Sequence, residues 1–473
     1  MIPSSCSYLD ITELLVNRSV ANACNHGGGG RTSTASVHRA TTFKGMNVLP
    51  GRLRSVAPST ANDLKLQTLE FDEKLHSAIS FKLQGCIDAY FNGNTRGCLK
   101  LTEEILSYTW EKLNTGHWKD VHIAWRQLYS LASLLKALSL CVECVCLNED
   151  ASAANDDCMY KAAIKACDMG LLMGAPVLDN ILSRLATAIH HQQSDAGTGE
   201  REVSKVDKEE VSPRKRRRLD NRIPDIDKNK EIIRTVNPSL EHFRSAYMQS
   251  KTPVVIHKGM DHWPAMTTRR WSIEYLHRVA GSRTVPIEIG ARYTDENWSQ
   301  SLMTVSEFIS KYIDREETDS KDVGYLAQHQ LFDQIPELKR DICVPDYCCL
   351  SDSDDDDDVD DVDINAWFGP RGTVSPLHHD PKHNCLAQVV GSKYIRLYSE
   401  EDSASVYPHE GHLLNNTSEV DVEHPDFEKY PLFATAPYLE CILNPGEMLY
   451  IPPKCWHYVR SLDVSFSVSF WWS

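Results

Sequence analysis

The chain has 473 residues, 41% hydrophobic and 25% charged, a balance that suits two or three folded domains and excludes a single small one. Lys and Arg number 50 against 66 Asp and Glu, and the net charge of −16 argues against a general polyanion binder, so no direct nucleic-acid partner is expected. Fifteen irregularly spaced cysteines point to free thiols in a reducing compartment rather than a disulfide framework, which makes the sequons at Asn17, Asn297 and Asn416 incidental.

Residues 1–62 are rich in Ser, Thr, Gly and Ala, show no periodicity and are expected to be disordered. Asp10 and Glu13 interrupt what a signal peptide would keep apolar, whereas the acid-free, Arg-bearing stretch from Ala21 to Thr60 also fits a mitochondrial transit peptide. No run approaches the roughly 18 apolar residues of a bilayer span, so a soluble chain without a membrane partner is expected. Residues 63–192 take up helical spacing, as in Trp125, Leu128, Leu131, Leu134 and Leu135, and predict an all-helical domain of five to seven helices. Gly93, Gly97, Gly116 and Gly170 fall between the candidate helices. Cys141, Cys144 and Cys146 lie in an apolar helical run without a fourth zinc ligand and read as buried thiols. This domain carries no catalytic pattern and is expected to bind a protein partner.

Residues 193–235 are too polar to fold on their own and form a linker. Five consecutive basic residues within Pro213–Asp220 read as a nuclear import signal or a polyanion-binding patch, with a solvated charge run as the plain alternative. From 236 to 473, short β-branched and aromatic runs such as PVVIHKG, RTVPIEIG, CLAQVVGSKYIRLY and SFSVSFWWS alternate with turns, predicting a sandwich or barrel with added helices. Nine Asp between Ser351 and Asp363 form a solvated acidic loop, without the fixing turn of a calcium site.

The chemistry concentrates in Ser375–Asn384 and in Pro452–His457. On a strand, His378 and Asp380 share a face while His379 turns away. His457, after a turn-rich segment, can supply a third ligand. Two His and one carboxylate make the facial triad of non-haem Fe(II) oxygenases, which leaves positions open for a bidentate cosubstrate and dioxygen. His-x-Asp alone is a weak signal, but Lys393, 13 residues after Asp380, adds a cation on an alternating strand that can pair with a dicarboxylate.

Together PVVIHKGMDHWPA, NAWFGPRGTVSPLHHDPKHN, GSKYIRLYS, NPGEMLYIPPKCWHYV and SFSVSFWWS resemble the JmjC family across residues 236–473. The resemblance implies a double-stranded β-helix, that is, a cupin-like jelly roll, and an enzyme dependent on Fe(II) and 2-oxoglutarate. It makes His378, Asp380 and His457 the iron ligands and Lys393 the partner of the distal cosubstrate carboxylate. Tyr325, Ser375 and Asn384 match further cosubstrate contacts, and Glu288, Tyr293 and Trp367 match the walls of a pocket for a substrate arginine. The acidic insertion just upstream of Trp367 departs from the family pattern.

What this implies is oxidative decarboxylation of 2-oxoglutarate to succinate and carbon dioxide, coupled to hydroxylation of arginine in a histone, ribosomal or chromatin-associated protein. N-methyl-lysine demethylation uses the same oxidant, with the pocket deciding between them. Metal-dependent peptide cleavage is a third activity the resemblance implies, although the chain has no HExxH motif. A non-catalytic binding shell has no need of an intact triad plus Lys393. The basic cluster predicts a nuclear location, with the cytoplasm also open.

Overall fold

The computed structural model describes residues 48–64, 73–116, 120–147, 153–196, 223–290, 292–294, 298–314, 323–351, 361–411 and 414–473. The basic cluster at 213–220, most of the N-terminal segment and the acidic run at 352–360 lie outside the described residues.

Five long helices stand in sequence among the described residues: α1 Glu73–Phe91, α2 Thr95–Leu113, α3 Ile123–Leu147, α4 Ala153–Met173 and α5 Ile181–Ala196. Asn94 caps α2 by accepting from the Gly97 amide, which satisfies one of the amides a helix start leaves open. Gly93 and Gly116 sit outside helices with positive φ, but Gly97 and Gly170 lie within α2 and α4 rather than between helices. At Gly170 the reason is packing: a Cβ there would come within 2.6 Å of the Leu182 side chain on α5 and 2.8 Å of Ser133 on α3.

Helix α3 corrects the expectation that no apolar run is long enough for a membrane, since by length and composition it could cross one. It is instead the central helix of the layer, with Leu128, Leu131, Leu134, Leu135 and Leu138 all buried against the helices around it. Cys141 and Cys144 are buried as expected, while Cys146 at the end of the helix is exposed.

Two expected boundaries also shift. Within the supposedly disordered 1–62, the helical turn Gly51–Arg54 places Leu49, Leu53 and Ala57 in the helical core. Within the supposed linker 193–235, Ile232 is buried against the β-domain, and Arg234 pairs with Glu447 at 2.5 Å. A few apolar anchors are enough to fix a polar segment on a preformed surface, and composition averages hide them.

The strands are β1 Arg234–Val236, β2 Val254–His257, β3 Thr284–Ile289, β4 Ser299–Thr304, β5 Gly324–His329, β6 Asp363–Gly369, β7 Val374–His378, β8 His383–Val390, β9 Lys393–Tyr398, β10 Leu439–Leu443, β11 Glu447–Ile451, β12 Trp456–Ser461 and β13 Ser465–Trp472. They form a nine-stranded sheet in the order β1-β2-β11-β8-β13-β6-β5-β3-β4 and a four-stranded sheet in the order β10-β9-β12-β7. All neighbours pair antiparallel except β1 with β2. From β6 to β9 and again from β10 to β13 successive strands cross from sheet to sheet, as at Gly391, whose positive φ carries the turn from β8 to β9. Leu386 and Leu449 of the large sheet meet Ile395, Leu397 and Val459 of the small one, closing the space between the sheets with an apolar plug.

The helical layer is docked on the β-domain by a buried carboxylate. Asp168 on α4 accepts from Arg283 Nε at 2.9 Å and Nη2 at 2.7 Å, from the Thr284 amide at 2.6 Å and from Gln334 Nε2 at 2.9 Å. Asp168 and Arg283 are 0% and 1% exposed, and with this many hydrogen bonds the desolvation of both charges is offset.

Candidate active site

Above the plug the sheets part around a cavity whose walls include His378, Asp380, Asn384, Lys393 and His457. Strand pairing brings the two halves of the sequence signal together. His457 on β12 lies opposite His378 at the end of β7, so chain segments 79 positions apart (457 minus 378) meet across one ladder. Asp380 lies just past β7, where its carbonyl accepts from the Lys454 amide at 2.6 Å. His379 does turn away, edge-on to Trp456 with ring centroids 4.7 Å apart.

One ligand atom from each of His378, Asp380 and His457 lies within 4.8 Å of the others, and all three residues are buried. The His378 Nδ1–H donates to the Pro376 carbonyl at 2.7 Å, and the His457 Nδ1–H donates to the Cys455 carbonyl at 3.0 Å. Both rings therefore present an Nε2 lone pair, the tautomer a metal ligand needs. Burial first, and for His378 also the neighbouring His457, pushes both imidazoles below their ordinary range and keeps them neutral. Two nitrogen lone pairs and a carboxylate converging without intervening protons fit a divalent iron, and two imidazoles with one carboxylate is the donor set iron oxygenases use.

Lys393 at the start of β9 is 2% exposed, and its Nζ donates to the Tyr325 hydroxyl at 3.3 Å. Among the described residues no carboxylate pairs with it, and burial lowers its pKa to about 7. Tyr325, Ser375 and Asn384 line the same cavity, and burial pushes the Tyr325 phenol far up, so it stays a neutral donor. Asn384 Oδ1 and Trp471 Nε1, also in the wall, are buried atoms without a hydrogen-bond partner among the described residues. A buried cation beside open polar atoms costs stability unless a ligand completes them, and an anion with oxygen acceptors fits.

The third predicted group is brought close in part. Trp367 lines the cavity directly and donates from its indole to Ser469 at 2.9 Å. Glu288 lies opposite Tyr325 in the β3–β5 pair, accepting from the Trp298 indole at 3.3 Å. Burial raises the Glu288 carboxyl to about 7, with the Trp298 bond working against the rise. The Tyr293 hydroxyl lies 3.2 Å from Thr417 Oγ1, and Thr417 pairs through its backbone with His378. Trp298, Thr417, Ser469 and Trp471 were missed from sequence. Ser469 and Trp471 had a usable signal, since their two-residue spacing puts them on one face of β13; Thr417 had none.

Comparison with known proteins places this geometry. The cupin-like domain model matches residues 239–473, and a model described as KDM8-like, N-terminal ARM repeats matches residues 89–204. The chain is 49% identical over 422 residues to lysine-specific demethylase 8 of Danio rerio, covering 89% of this chain and 98% of that protein. It is 42% identical over 463 residues to the Xenopus tropicalis protein of the same name, covering 89% and 100%. Lysine-specific demethylase JMJ30 of Arabidopsis thaliana is 42% identical over 385 residues, covering 77% of this chain and 83% of that one. With the cupin-like β-domain, the helical-repeat layer and the buried His-Asp-His cluster all in place, the chain belongs to the JmjC family of 2-oxoglutarate-dependent oxygenases, alongside the lysine-specific demethylase 8 proteins.

Proposed function

We propose that the chain hydroxylates arginine side chains of protein substrates, with His378, Asp380 and His457 holding Fe(II) and with Lys393, Tyr325, Ser375 and Asn384 holding 2-oxoglutarate. Bound iron with 2-oxoglutarate and dioxygen supplies an oxidant for an unactivated C–H bond. The protein provides the rest. Carbonyl bonds fix both imidazole tautomers, and Lys393 with Tyr325 gives the cosubstrate's far carboxylate a charged and a neutral donor. The buried walls exclude water, and Tyr325 stands between Trp367 on one neighbouring strand and Glu288 on the other.

The single observation that carries the choice of arginine is Glu288, a half-buried carboxylate without a cation partner among the described residues, set on the cavity's side of the large sheet opposite Tyr325, whose ring in turn faces Trp367 at 6.2 Å. A guanidinium satisfies such a carboxylate through charge-assisted hydrogen bonds and stacks on Trp and Tyr faces. The second reading is N-methyl-lysine demethylation. The names of the relatives favour it, and the tryptophans suit a methylated ammonium. In both readings the substrate is a basic protein segment such as a histone tail, complementary to an acidic chain, and the basic cluster at 213–220 directs the protein to the nucleus.

Anaerobic Fe(II) and 2-oxoglutarate binding, followed by succinate release in air with arginine and methyl-lysine peptides, separates the readings. Peptide gain of one oxygen coupled to succinate, lost in His378→Ala and Lys393→Ala, supports arginine hydroxylation. Formaldehyde release from the methyl-lysine peptide without oxygen gain on arginine replaces it with demethylation. Peptide cleavage without succinate points to metal-dependent hydrolysis.

A further inference from the structure

On the inner face of the large sheet a row of side chains runs outward from the cavity. Tyr325 lies opposite Glu288, and Glu288 lies opposite Gln300 on the edge strand β4. Residues directly opposite in antiparallel pairs share a face, and Tyr325 lines the cavity, so Glu288 and Gln300 lie on the cavity's side. Gln300 is 8% exposed, and its Oε1 is a buried atom without a hydrogen-bond partner among the described residues. A glutamine with a purely structural role would have that oxygen paired. Nor is the strand loose: Leu302, two residues on and on the same face, packs with Tyr129, Leu172 and Met173 of the helical layer.

Glu288 already accepts one bond from Trp298, while a guanidinium brings five donors in a planar fork. One carboxylate leaves some of them dry. We propose that Gln300 is a specificity-determining residue whose side-chain oxygen accepts from the guanidinium of a substrate arginine paired with Glu288. The inference rests on the arginine reading. A trimethylated lysine has no N–H to give this oxygen, and a dimethylated one has a single N–H, so the pair Glu288 and Gln300 selects guanidinium over methylated ammonium by leaving a buried acceptor unmet when the wrong substrate binds.

The test uses the full chain with Fe(II), 2-oxoglutarate and an arginine peptide that the wild type hydroxylates. Gln300→Met keeps the volume and removes the acceptor; it is expected to raise the KM for the peptide about tenfold, the loss of one hydrogen bond to a charged group, with kcat within about twofold. Gln300→Glu turns the acceptor into a second carboxylate and is expected to lower KM below the wild-type value. A KM in Gln300→Met within about twofold of wild type overturns the role of Gln300 and leaves the arginine reading standing. Should Gln300→Met fail to fold, Gln300→Glu decides alone, a lowered KM supporting the role and an unchanged or raised one overturning it. If the wild type releases formaldehyde from methyl-lysine peptides and oxidises no arginine peptide, the arginine reading fails and the role of Gln300 falls with it.

Discussion

The helical layer and the β-domain treat buried charge in opposite ways. On α4, Asp168 is sealed in, and four hydrogen bonds from Arg283, Thr284 and Gln334 meet it. Between the sheets, Lys393 is sealed in with the Tyr325 hydroxyl as its one hydrogen-bond partner among the described residues, in a cavity whose Asn384 and Trp471 atoms no described group satisfies. Among the described residues the helical layer has its own unpartnered buried atoms, the hydroxyls of Tyr90 and Ser133, but these are neutral and small. Completed charge marks architecture, and incomplete charge marks a place for a ligand.

The comparison breaks if removing a group from the cavity unfolds the protein, or if removing one from the docking contact leaves it equally stable. The largest effect expected is His457→Ala, which should lower substrate-coupled turnover by at least about 10²-fold, beyond the loss that follows removal of an outer-shell partner. The unfolding free energy of the metal-free chain, read from urea titration, should change by no more than about 1 kcal/mol, since natural sites commonly trade stability for function. Asp168→Ala should do the reverse. It leaves Arg283 buried without its carboxylate, which costs about 3–5 kcal/mol and is readable as a lowered urea midpoint; Fe(II) binding by the folded fraction should persist, because the triad lies on β7, the turn just after it and β12, none of which Asp168 hydrogen-bonds. A third substitution sharpens the architectural side. Gly170→Ala forces a methyl between Leu182 and Ser133 and should cost about 1–3 kcal/mol as overpacking, with no change in the KM for peptide.

The two regions were also unequally legible in the sequence. The β-domain's strands announced themselves through alternation, and the triad did so because His378 and Asp380 are close in sequence and His457 follows a distinctive turn. Strand β4 did not: Ser299–Thr304 reads as a polar loop, and only its pairing with β3 and the packing of Leu302 on the helical layer make it a strand, a case of tertiary context overriding propensity. Gln300 therefore carried no signal. In the helical region the period placed the helices, but glycine punctuation misled. Gly97 and Gly170 are required by a cap and by close helix packing, contacts that have no trace in a one-dimensional pattern. Asp168 was invisible for the same reason, since its partners lie 115 and more positions away.

The smallest effect is also the most diagnostic of incomplete charge. Lys393 sits at about 7 because burial penalises its ammonium, whereas the unfolded chain holds that proton up to about 10.5. Between these values the unfolded chain binds more protons, so the lysine's contribution to stability of the ligand-free protein rises with pH across that window and is lost as pH falls through 7. Cosubstrate binding follows the opposite sign. A dicarboxylate needs the charged lysine, so below pH 7 it meets a cation already formed, and above pH 7 binding must take up a proton. The Kd for 2-oxoglutarate should then rise by up to about tenfold per pH unit above 7, the limit for one linked proton. Titration calorimetry without peptide, in buffers of differing ionisation enthalpy, measures both the affinity and the proton. His378 and His457 are held neutral over this range, and the Tyr325 phenol stays protonated. Glu288 also titrates near 7, but it loses its proton as pH rises and lies on the substrate side. Lys393→Arg keeps its charge at every accessible pH and should flatten the profile; a Kd for the wild type that is level from pH 6.5 to 8.5 would mean that another group already neutralises the lysine and that the cavity's charge is as complete as that of the helical layer.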